Sequence, residues 1–179
     1  MQDQSNVSLD ERIERVHALD LGPIKFKLAH KEDGHSPSII DVERMERQYR
    51  NFLILHLMFP EKRIVPTKEV DTFWHAHILD TFKYAADCEH VIGRFLHHFP
   101  YFGLRGEADA EQLKKAFNES MELYRDTFGA TLSAASADCQ VSSCDAPQCS
   151  PQECHNVEGI SLARPSWNAF VNAAQPVPA

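Results

Sequence analysis

Through the first 130 residues apolar side chains recur at intervals of three and four, and no stretch alternates long enough to compete as a strand, which constrains the chain to an all-α fold. Ser8 and Glu11 form a capping pair ahead of an amphipathic segment in which Leu9, Ile13, Val16 and Leu19 or Leu21 share a face. Gly22-Pro23 closes it, so the spacing predicts a first helix over about 9–20. Ile24 to His30 is apolar but short, and Gly34 and Pro37 break the chain before a periodic segment from Ile40 to Phe59. Its stripe is Met45, Tyr49, Phe52, Leu53, His56 and Leu57. Pro60 stops that helix, residues 62–66 make a connection with room for a short extended piece, and Thr67 caps a helix expected to run to Val91. Gly93 and Pro100 punctuate a turn-rich stretch. Asp109 with Gln112 makes another capping pair, and Leu113, Phe117, Met121, Tyr124 and Phe128 repeat down to Gly129. The expectation is a compact bundle of roughly four main helices over 1–130, followed by an irregular cysteine-bearing tail over 131–179.

The boundary near Thr131 is compositional. TLSAASADCQVSSCDAPQCSPQECHN is rich in Ser, Ala, Pro, Gln and Cys and holds too little apolar surface to offset the entropy of ordering it. A formal charge of -8 gives no electrostatic footprint for nucleic acid, so nucleic-acid binding is disfavoured. The N-terminus has neither the basic start nor the apolar run of a secretory signal, and no run is long enough to span a bilayer. A cytoplasmic protein without membrane contact is expected. A phosphate-cradling glycine loop is absent, and Cys88 sits on an apolar helix face without the sharp turn of a nucleophile, so neither nucleotide chemistry nor a cysteine hydrolase is indicated.

Histidine is concentrated where chemistry is expected. Val70 to Gly103 holds five of the ten histidines, His75, His77, His90, His97 and His98, with His56 upstream, and Asp71, Asp80, Asp87 and Cys88 interleaved. On a helix Asp71 and His75 share a face as an i, i+4 pair, whereas His77 is rotated about 200° from His75. One regular helix cannot aim both rings at one ion, so one is expected to be a ligand and the other to support it or pack in the core. The Gly93 and LHHFPYFG turns can return His98 beside the helix, with His56 the next candidate. Asp71, His75 and His98 then make a two-histidine, one-carboxylate set suited to iron or zinc, with copper a further option. The alternative is structural: Asp71 bonds His75 or caps its helix, and His98 packs among Trp74, Phe95, Phe99, Tyr101 and Phe102.

The run Val70-Asp71-x-x-Trp74-His75-x-His77, followed by Tyr84, Asp87-Cys88, Gly93 and Leu96-x-His98, resembles the signature of the glycine-rich domain-containing protein-like family, an uncharacterised group of plants, fungi and bacteria. The resemblance implies a common centre of Asp71, Trp74, His75, His77, Tyr84, Cys88 and His98, and no activity comes with it. Plant members are long, with a glycine-rich region; this chain has 7 glycines, and PTKEVDTFWHAHILDTFKYAADC and YFGLRG look more like the compact bacterial branch.

In the tail, Cys139, Cys144, Cys149 and Cys154 recur every five residues. The series lacks the CxxC knuckles of zinc ribbons, yet four thiolates on a loose chain can wrap a soft ion such as zinc or copper(I). The alternatives are a segment presented for modification or docking, and a plain reduced extension. Arg164 to Val171 regains apolar anchors suited to a protein partner. Two functions follow: a metal-binding protein, which as an enzyme would be iron- or zinc-dependent, or a non-catalytic interaction module whose His/Trp cluster is structural and whose tail recruits a partner.

Overall fold

A computed structural model describes residues 7–30 and 37–129, and within them the chain is all-α. Six helices follow one another: α1 (Leu9–Ala18), α2 (Gly22–Ala29), α3 (Ile39–Met58), α4 (Lys68–Ile78), α5 (Thr81–Val91) and α6 (Glu107–Phe128). The cysteine series and the apolar anchors of the tail lie outside the described residues.

Side-chain caps start three of the helices, two of them at the residues the sequence indicates, Ser8 and Thr67, and the third at Ser38. Ser8, Ser38 and Thr67 accept the backbone N–H of Glu11, Asp41 and Val70, each satisfying a donor that a helix leaves open in its first turn. Helix α6 ends on Gly129 in the left-handed conformation, as a terminal glycine does. Three sequence readings differ. Gly22-Pro23 not only ends α1 but opens α2, because proline at the first helical positions loses no hydrogen bond there. Asp109 does not cap α6: its carboxylate accepts from the backbone of Gly103 and Arg105 and pairs with the Arg105 guanidinium at 2.6 Å, tying down the turn before the helix.

The largest difference is the helix expected from Thr67 to Val91, which is two helices. Leu79 N–H bonds to His75 O, and Asp80 N–H reaches the nearer carbonyl of His77, a tightening that ends α4 without glycine or proline to announce it. A continuous helix would hold residues ten apart about 15 Å from each other. Instead, Trp74 Nε1 donates to the Tyr84 hydroxyl at 2.8 Å and His77 Nε2 lies 3.0 Å from Asp87 Oδ2, contacts that only a fold-back of α5 onto α4 allows.

Helix α3 is the central element, packed against α1, α2, α4 and α6. Val42, Met45, Tyr49, Phe52, Leu53 and Leu55 of α3 join Val16, Leu28, Phe73, Trp74, Tyr84, Cys88 and Val91 in one continuous core. Arginines close the exposed helix ends: Arg50 of α3 donates to the carbonyls of Val16, His17 and Leu19 at the end of α1, while Arg12 and Arg15 of α1 donate to Val91 and His90 at the end of α5. Positive charge at a helix C-terminus is favourable as well as bonded. A smaller core of Val65, Phe102 and Phe117 seats the segment between α5 and α6 on α6. There Gly103 has φ +91°, and a Cβ on it would come within 2.5 Å of Leu113 Cδ2. Gly103→Ala therefore meets both backbone strain and a clash, and urea unfolding is expected to show a loss of about 1–3 kcal/mol.

Candidate metal centre

Helix α4 carries Asp71 and His75 one turn apart, on the face opposite the buried His77. The turn segment after α5 brings in His98, and Tyr84 fixes that segment: its hydroxyl takes the Trp74 indole N–H and donates to the carbonyl of Leu96, two residues before His98. The Trp74 ring supports the His98 ring directly, centroids 4.7 Å apart. His98 is thus placed by a rigid peg from α5 and a buried indole from α4.

The resulting cluster has three ligand-capable atoms at one spot. His75 Nε2 and His98 Nε2 are 2.9 Å apart, His98 Nε2 and Asp71 Oδ1 3.2 Å, and His75 Nε2 and Asp71 Oδ1 3.7 Å. Among the described residues these are the three whose donor atoms converge closely enough to hold a metal ion. Burial holds the His75 imidazole below its ordinary pKa against the pull of the Asp71 charge, which keeps it neutral with a lone pair to give. Two imidazole nitrogens and a carboxylate oxygen meeting at one spot cannot all act as acceptors. A single proton on His98 can serve His75 or Asp71, whereas a divalent cation serves all three.

His77 is occupied elsewhere. It is 1% exposed, its Nδ1 lies 2.9 Å from the Tyr49 hydroxyl and its Nε2 3.0 Å from Asp87 Oδ2. Because a carboxylate only accepts, Nε2–H donates to Asp87 and Nδ1 accepts from Tyr49, an assignment made from the network. Burial lowers the pKa of this ring, in keeping with that neutral tautomer. Both nitrogens are spent, and the split in HAH is between a ring aimed at the cluster and a ring bonded in the core. Cys88 is buried beside Tyr84 with its thiol pKa raised by burial, the opposite of an activated nucleophile.

His56 also stands apart from the cluster. Its ring meets Phe52 edge-on at 4.6 Å, and its Nε2 is buried without a hydrogen-bond partner among the described residues. Burial, reinforced by the charge of Arg94, lowers its pKa to about 3. The unfolded chain takes this proton near the ordinary value of about 6.5 and the native chain refuses it, so native stability falls as pH drops through the window between them. Between pH 7 and pH 5 the wild-type chain should lose about 2 kcal/mol that a His56→Leu variant does not, read by urea unfolding at both pH values.

Missed by sequence reasoning were Tyr49 and Asp87 as the partners of His77. Tyr49 is on the α3 core stripe and carries no local sign of a polar duty; Asp87 becomes legible only once α5 is known to fold back.

The fold and the cluster define an all-helical domain in which two histidines and a carboxylate meet between a helix and a pinned turn. The UCP032817-like family model matches residues 12–124, from α1 into α6, and the chain belongs to that family. It is also 28% identical over 142 residues to glycine-rich domain-containing protein 1 of Arabidopsis thaliana, a match covering 71% of this chain and 17% of that protein, in agreement with the glycine-rich domain-containing protein-like signature in the sequence. The chain therefore corresponds to a small part of the plant relative's length. No solved structure matches it. No helix among the described residues is long and apolar enough to cross a membrane.

Proposed function

We propose that this protein binds one transition-metal ion through Asp71 Oδ1, His75 Nε2 and His98 Nε2. The observation that carries the reading is the convergence of these three atoms, all within 3.7 Å of one another, on a spot supported by Trp74 and the Tyr84 peg. Two imidazoles and a carboxylate suit iron(II) and zinc; copper is the softer alternative, better matched to the thiolates of Cys139, Cys144, Cys149 and Cys154, which would form a second, separate site.

Elemental analysis of anaerobically purified chain tests this, using the wild type, His98→Ala, and a variant with those four cysteines changed to serine. Iron or zinc near one per chain in the wild type and the serine variant, and lost in His98→Ala, is the expected pattern. Metal lost only with the cysteines would move binding to the tail. Metal absent throughout would return the function to a helical interaction module.

A further inference from the structure

We infer that the ion at Asp71, His75 and His98 keeps an open coordination face that takes a small anionic ligand, such as a carboxylate, from solution; this rests on the metal-binding reading above. Geometry supplies the first argument. With metal–ligand bonds of about 2.1 Å, two donors at a right angle lie about 3.0 Å apart and two donors on opposite sides about 4.2 Å apart. The separations here are 2.9, 3.2 and 3.7 Å, so no pair spans the ion and all three donors crowd one side of it.

No further His, Cys, Asp or Glu among the described residues joins these three. A closed structural site would show a fourth. The three ligand side chains are 23%, 27% and 21% exposed, so solvent reaches the cluster from outside and the core does not seal it. Charge supplies the ligand class. Two neutral imidazoles and one carboxylate leave a divalent ion with a net charge of +1, which favours a monoanion over a neutral or cationic ligand.

Cobalt(II) is the probe. The full-length chain, freed of metal with a chelator and reloaded with cobalt(II), is titrated with azide and then with acetate while the visible ligand-field bands are followed. The expected result is a saturable shift of the bands with each anion, absent from His98→Ala and from Asp71→Asn, both verified as folded by circular dichroism. Cobalt held by the tail thiolates shows near-ultraviolet charge-transfer bands that survive in those variants, and so does not imitate this signal. Cobalt bands that His98→Ala removes but that neither anion moves would overturn the open face and leave metal binding standing, because another group of the chain then closes the coordination. If the wild type shows no bands that depend on His98 or Asp71, both readings fall.

Discussion

His75→Ala is expected to weaken zinc binding at least about 100-fold, because changing residues that merely support a ligand already costs 10- to 100-fold in metal affinity. The same change should barely alter the metal-free fold. His75 is 27% exposed, its contacts are to Asp71 and His98 at the surface of the cluster, and Trp74, Phe73 and Ala76 beside it on α4 bury the core face without it. A loss of no more than about 1 kcal/mol is expected in urea unfolding of the metal-free chain. Affinity is read by competition with a chromogenic chelator. Unchanged affinity would remove His75 from the centre.

His77→Ala should do the reverse. The substitution empties a fully enclosed site, strips the Tyr49 hydroxyl of its acceptor and leaves Asp87 with Lys83 as its remaining ion-pair partner. Cavity formation and unpaired buried polar groups together place the loss at about 3–5 kcal/mol, a large part of the stability of a domain this size. The folded fraction should bind metal within a few-fold of wild type, since both ring nitrogens of His77 are bonded to Tyr49 and Asp87, away from the Asp71, His75 and His98 cluster. Thermal melting followed by circular dichroism, paired with metal titration well below the melting temperature, checks both halves. Abolished binding on an intact fold would mean that His77, two residues from His75, had exchanged roles with it.

These opposite outcomes show where the sequence was legible. Asp71 and His75 could be paired because one helical turn separates them, and His98 could be joined to them because glycine and proline mark the chain reversal that returns it. Local spacing and punctuation suffice for such pairs. The fold class was legible for the same reason, through the apolar period of α1, α3 and α6 and the caps at Ser8 and Thr67. What stayed hidden depends on tertiary packing. The break at Leu79-Asp80 has no glycine or proline, and it is enforced by burying Tyr84, Cys88 and Val91 against Trp74 and the α3 stripe. Without that break the Tyr49–His77–Asp87 network cannot be drawn, so the sequence could set His77 apart from His75 by helical rotation but could not name its partners. His56 was placed correctly on the α3 stripe, but periodicity reports only a face, not whether a ring nitrogen on it finds a partner.

If Asp71, His75 and His98 hold an ion as proposed, the Trp74–Tyr84–Leu96 hydrogen-bonded peg makes its occupancy a gauge of folding. Asp71 and His75 come with helix α4 alone, but His98 arrives only after α5 has folded back and Tyr84 has caught the Leu96 carbonyl. An ion that needs all three binds the native chain far better than the unfolded one, so free metal concentration becomes a stability variable. At 100 times the dissociation constant it adds about 2.7 kcal/mol. On the proposed metal-binding reading, a rise in ambient ion would protect the chain from unfolding and proteolysis and depletion would expose it, so abundance of the protein would track metal supply even if the bound ion performed no reaction.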